Sequence, residues 1–329
     1  MPASRRRVVR DVTASIAATA GSAGAGWAAW NFLNGQARAA RAVIPHRTDN
    51  APNGDGIYLP DGSGPIRVTP RVTADLHMMV FGDSTAAGLG AESPDETPGV
   101  ALTRMVVRET GRSVRLSTKA IVGATSRGLS GQVDAMLIAG RPPDVAVILI
   151  GANDITAVNA PSPAAKRVGS AVRRLVEVDA KVIVGTCPDL GVVTAIPQPL
   201  RSVLRQWGFR LAAAQTHEVR AAGGRPVPLA DLLSPVFLAS PDRMFSSDNY
   251  HPSAAGYQLA AETLLPEVLA SMGEWGAGPL PDPPEVSEFA ENNRLVVRMR
   301  RRLGIPVRLR RRRADATVGS DRSAGRSMA

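Results

Sequence analysis

Five short, β-rich apolar runs alternate with longer segments whose apolar residues recur at helical spacing. The runs are Ala74 to Phe81, Val114 to Ala120, Val145 to Ile150, Lys181 to Thr186 and Arg225 to Leu229. The segments between them are Gly99 to Thr110, Arg127 to Ala139, Ala164 to Val178 and Leu200 to Ala222. Strands separated by helices pair in parallel, with each helix as the crossover. The expected fold is therefore α/β: a three-layer α/β/α sandwich on a mainly parallel, five-stranded sheet. Open sheets of this kind bind ligands beyond the carboxyl ends of their strands, which directs attention to the residues just after each run.

Four short blocks stand at the end of a run or at the start of a following helix: Phe81-Gly82-Asp83-Ser84, Val122-Gly123-Ala124-Thr125, Gly151-Ala152-Asn153-Asp154 and Asp248-Asn249-Tyr250-His251-Pro252. Together they hold the parts that ester cleavage needs. A serine hydroxyl is a weak nucleophile at neutral pH and needs a base within hydrogen-bond reach. An imidazole serves if a carboxylate holds it in the tautomer that presents a bare nitrogen to the hydroxyl. Ser84, His251 and Asp248 fill these roles. The oxyanion of the tetrahedral intermediate needs preorganised donors, for which the N–H of Ser84, the N–H of Gly123 and the side chain of Asn153 are candidates. Read alone, each block is weak. Gly-Asp-Ser is more often a turn than a nucleophile, Asn-Asp after a strand is ordinary turn chemistry, and His-Pro-Ser, with Ser253 as N-cap, is an ordinary helix start. The conjunction carries the reading.

On these blocks the chain resembles the GDSL-type esterases of the SGNH hydrolase superfamily, whose four blocks carry Ser, Gly, Asn and His in that order. Ser84, Gly123, Asn153 and His251 match them, and the resemblance covers about residues 73 to 272. The family's second block often carries an asparagine shortly before its glycine, where this chain has Thr118, Lys119 and Ala120. The resemblance implies an SGNH hydrolase fold and a serine esterase. Carbohydrate deacetylation, lysophospholipid or thioester cleavage and acyl transfer to a sugar use the same site in that family.

The nucleophile turn differs from a Gly-x-Ser-x-Gly elbow, because Thr85-Ala86-Ala87-Gly88 follow the serine and the acid is local to the histidine. Asp83 and Asp154 are expected to support the site by bonding backbone, not to act as the triad acid. His46, His77 and His217 are scattered and form no ligand cluster, so neither a metal nor an organic cofactor is expected. Cys187 is the single cysteine; no disulfide within the chain is possible, and the residue reads as packed rather than nucleophilic.

The ends differ from the middle. Ser4-Arg5-Arg6-Arg7-Val8-Val9-Arg10 precedes Val12 to Gln36, a stretch without charge. A basic segment before an apolar one reads as an export signal, here with a twin-arginine character, and Ala37-Arg38-Ala39 offers a cleavage site. Uncleaved, the stretch is long enough to span a bilayer, which takes about 20 residues; either way the catalytic domain would face outside. The alternative is an alanine-rich surface helix. Residues 1–40 are thus read as signal or anchor, 41–72 as linker, 73–272 as hydrolase domain and 273–329 as a Pro/Gly linker with an Arg-rich tail.

The formal net charge of +10 resides in that tail, since Arg294 to Arg313 holds ten arginines and no acid. Interleaved apolar residues suit it to an anionic membrane or wall surface; a solvated tail without a partner is the alternative. Nucleic acid is discounted, because export separates the tail from it and the segment has no aromatic residue for stacking.

The expectation is an exported serine esterase acting on short acyl esters, such as acetyl or butyryl. An acyltransferase, a deacetylase or lysophospholipase on envelope substrates, and a non-catalytic envelope-binding module are the alternatives.

Overall fold

A computed structural model describes residues 51–276, the short pieces 31–32, 35–36 and 288–293, and positions 280 and 297. Apart from those pieces, the expected export segment, the start of the expected linker and the Arg294 to Arg313 tail lie outside the described residues.

Strands β2 (Leu76–Gly82), β3 (Val114–Thr118), β4 (Val145–Leu149), β5 (Lys181–Gly185) and β6 (Arg225–Val227) match the five apolar runs. They are parallel, in the order β3-β2-β4-β5-β6. Helices α2 (Pro98–Thr110), α3 (Ser126–Ala139), α5 (Pro161–Val176) and α6 (Leu200–Ala221) connect them, and α9 (Ala254–Met272) closes the domain. β4 is buried along its whole length, and alternate side chains enter opposite cores. Val145, Val147 and Leu149 pack with residues of α2 and α9. Ala146 and Ile148 pack with residues of α3, α5 and α6. This gives the three layers.

Local chemistry sets the helix ends. Thr97 caps α2 by accepting from the N–H of Val100, Pro98 opens its first turn, and Gly111 closes it in the left-handed conformation at φ 64°. Ser253 caps α9 by accepting from the N–H of Gly256, in line with the His-Pro-Ser reading.

Two elements go beyond the sequence expectation. A sixth strand, β1 (Gly56–Tyr58), pairs antiparallel with β3 inside the stretch read as linker. Asp55 reinforces it by accepting from the N–H of Thr118 at 2.8 Å. Three residues among Pro, Gly and Asp are too short to display a period of two. The last apolar run stops at Val227 because Leu229 opens helix α7 (Leu229–Ala239), which holds Pro235 in its interior. The short helices α1 (Ser84–Ala87) and α4 (Ala152–Thr156) follow the carboxyl ends of the central strands β2 and β4, and α8 (Pro241–Met244) follows α7. A third apolar cluster, including Ile155, Cys187, Leu190, Leu204 and Phe237, packs around the segments that follow β4 and β5.

Candidate active site

Ser84 is the first residue of α1, directly past the end of β2. Asp83 caps the helix by accepting from the N–H of Thr85 at 2.9 Å. Gly82 makes the turn possible: it has φ +139°, and a Cβ there would lie 1.9 Å from the carbonyl oxygen of Leu149. The turn before Ser84 therefore presses against β4 as only glycine allows.

The loop between α8 and α9 brings the fourth block to the serine. His251 Nε2 lies 3.0 Å from Ser84 Oγ, and His251 Nδ1 lies 2.8 Å from Asp248 Oδ2. The other oxygen of Asp248 accepts from Ser246 Oγ and from the N–H groups of Tyr250 and His251, at 2.8, 2.9 and 2.8 Å. Burial opposes ionisation of this carboxyl, but the hydrogen bonds from His251, Tyr250 and Ser246 prevail and hold it well below the usual carboxylate range. An ionised carboxylate can only accept, so Nδ1 carries the imidazole proton and bare Nε2 faces the serine hydroxyl. The Tyr250 ring meets the imidazole edge-on at 5.0 Å. All three side chains are buried, each with less than a tenth of its surface exposed.

Asn153 lies in the first turn of α4, after Gly151 at φ +144°. Its Nδ2 donates to the carbonyl of Ala124 at 3.0 Å, joining the third block to the second. A carboxamide nitrogen has two donors; one is committed to Ala124 and one is left for a ligand. Gly123 sits at φ +81° in the turn closed by Ala124 N–H to Ile121 O, and is exposed with open space around its Cα.

Asp83 and Asp154 bond backbone, as expected. Asp154 is fully buried and accepts from Ser126 N–H, Ser126 Oγ and Asn159 Nδ2 at 2.7, 2.8 and 2.9 Å. It thereby caps α3, whose own N-cap Thr125 makes no side-chain bond. Burial pushes the Asp83 carboxyl up to about 6, against hydrogen bonds from Thr85 and Gly151 and the nearby His251.

Of the other residues singled out in the sequence, Cys187 is buried against Gly151, and burial pushes its thiol well up. His77 Nε2 lies 3.0 Å from Ser117 Oγ, and burial lowers its pKa to about 4. His46 lies outside the described residues. Among the described residues no helix is long and apolar enough to cross a membrane.

A cavity of about 90 Å³ opens beside His251. Asp83, Thr85 and His251 form one side; Leu190, Val193, Leu233 and Phe237 belong to its mostly apolar remainder. Asp189 reaches its edge but is neutralised. Arg205 Nε donates to one of its oxygens at 3.0 Å, and Nη2 lies 3.0 Å from the other, out of line for a hydrogen bond.

Two buried glutamines escaped the motif reading. Gln132 holds both backbone groups of Gly82, and Gln215 bridges Cys187 N–H and Ile150 C=O. Their signal was a polar residue in an apolar helical row: Gln132 between Leu129 and Met136, and Gln215 midway between Leu211 and Val219.

Residues 80–259 match the family described as GDSL-like lipase/acylhydrolase. A GDSL-like esterase of Mycobacterium tuberculosis is 58% identical over 236 residues, which is 71% of this chain and 75% of that protein. Among solved structures, TesA is similar with a TM-score of 0.46 and 23% identity, over 60% of this chain and 97% of its own. A lipase from a goat rumen metagenome is similar with a TM-score of 0.49 and 17% identity, over 61% of this chain and 99% of its own.

Proposed function

This chain belongs to the GDSL-like lipase/acylhydrolase family and is a carboxylic ester hydrolase; from that premise we propose that it works through an acyl-enzyme formed on Ser84. The observation that carries this reading is the contact series Asp248–His251–Ser84, with steps of 2.8 and 3.0 Å. Ser84 Oγ attacks the ester carbonyl as its proton passes to His251 Nε2, and the Oγ–C bond forms. Asp248 holds the imidazolium that results. The oxyanion is met by the N–H groups of Ser84 and Gly123 and by the second amide hydrogen of Asn153. Collapse breaks the bond to the leaving alkoxide, which takes the proton from His251. Water then gives a proton to His251 and its oxygen to the acyl carbon, and the acid leaves with Ser84 restored.

The substrate class we assign is a short acyl ester, acetyl to butyryl. The cavity beside Thr85 and His251 supports it, being apolar yet small. Acyl transfer to an alcohol and deacetylation of envelope carbohydrate use the same steps with a different acceptor or alcohol. Export of the domain and attachment of the Arg294 to Arg313 tail to an anionic surface belong to the same proposal and rest on sequence alone.

Mixing the protein with p-nitrophenyl acetate tests the mechanism. An initial burst of p-nitrophenol close to one per protein molecule, with the mass of an acetyl group on the peptide carrying Ser84, is expected. Acetyl on another residue, with Ser84 unmodified at full turnover, would overturn it.

A further inference from the structure

Where strands part at the carboxyl end of the sheet, backbone groups lose ladder partners, and side chains can supply them. The paired register of β3 and β2 ends at Thr118, opposite Val80, two residues before Gly82; beyond it the chain after β3 still gives Gly82 C=O a backbone bond, from Ile121 N–H at 3.1 Å. Gln132 of α3 meets Gly82 N–H and adds a second donor to its carbonyl. Its Oε1 accepts from Gly82 N–H at 2.8 Å and its Nε2 donates to Gly82 C=O at 2.7 Å. β4 and β5 part after Leu149 and Gly185, and there Gln215 of α6 bridges the gap. Its Oε1 accepts from Cys187 N–H at 2.7 Å and its Nε2 donates to Ile150 C=O at 3.0 Å. Both carboxamides are almost wholly buried, at 2% and 1% exposure. An N–H can only donate and a carbonyl can only accept, so neither amide can be flipped without losing both bonds.

The two clamps sit behind the reacting groups. Gly82 is two residues before Ser84, and Ile150 is three before Asn153. We infer that Gln132 and Gln215 are positioning residues for hydrolysis: their carboxamides brace the backbone where the strands diverge, so the sheet opens around the substrate while the nucleophile and oxyanion turns stay fixed. A merely structural polar residue needs any partner; these two each join the backbone that leads directly into a reacting turn.

Gln132→Glu and Gln215→Glu test this in the full chain. A protonated glutamic acid keeps one donor and one acceptor and preserves the clamp. The ionised form has acceptors only, facing a carbonyl, and breaks it. In each variant kcat, relative to wild type at the same pH, is expected to approach unity in acid. It should fall by about 10–100-fold as the new carboxyl ionises, with KM changing far less. Circular dichroism at each pH follows the fold. Folded variants whose kcat ratio does not vary with pH overturn the inference. So does a loss that only tracks unfolding, or failure of both to fold at any pH, since each leaves a purely structural role. The inference rests on Ser84 and Asn153 acting as proposed. A wild type without esterase activity defeats that reading, whereas an active wild type matched by both variants defeats this inference alone.

Discussion

His251 Nε2 lies 3.0 Å from Ser84 Oγ, although 167 positions of chain separate the two residues. Nothing local brings them together. One is fixed by the turn after β2 and the other by the loop before α9, and both are buried. The parallel sheet opens at the carboxyl ends of its strands, where these turns meet, and the chemistry follows from that placement.

Asp248→Asn keeps the shape of the loop but offers an amide to Nδ1, favouring the wrong imidazole tautomer. A fall in kcat of about 10³–10⁴-fold is expected from a steady-state assay. The same variant should reveal linkage. The Asp248 carboxyl has a lowered pKa in the fold, so its ionisation stabilises the protein above the unfolded value of about 3.9 and that stability is lost as pH falls. The melting-temperature difference between wild type and variant should therefore be present near neutrality and disappear on acidification.

Asn153→Ala removes one of the proposed oxyanion donors and the bond to Ala124. A fall in kcat of about 10²–10³-fold, with a much smaller change in KM, is expected from hydrolysis rates.

Asp83 titrates in the other direction. Its carboxyl is raised to about 6 in the fold from 3.8, so ionisation costs stability progressively as pH rises from about 4 to about 6. Asp83→Asn removes this titration. Thermal melts should show the variant gaining on wild type across that interval and holding a constant difference above it.

Gly82→Ala would drive a Cβ into the Leu149 carbonyl at a φ of +139°. Strain and overpacking together should cost about 2–5 kcal/mol, read by urea unfolding.

Much of this was legible in the sequence. β4, Val-Ala-Val-Ile-Leu, is buried on both faces and announces itself as an unbroken apolar run. Ser84, Asn153 and His251 follow strands or precede helices, where turn residues mark them. What stayed hidden depends on partners remote in sequence. β1 exists because β3 offers it an edge, and α7 begins where a strand reading continued to Leu229. The glutamine clamps answer strand divergence, which no local pattern encodes. At Gly123 the φ of +81° explains why glycine stands there, while its proposed part in holding the oxyanion rests on the motif.

The most direct measurement is hydrolysis of p-nitrophenyl esters from acetate upward by the full chain, beside Ser84→Ala and His251→Ala. The account predicts turnover that is highest on the shortest acyl groups and falls by about 10⁴-fold or more in both variants, with their folds intact. Wild-type rates in either folded variant would contradict it.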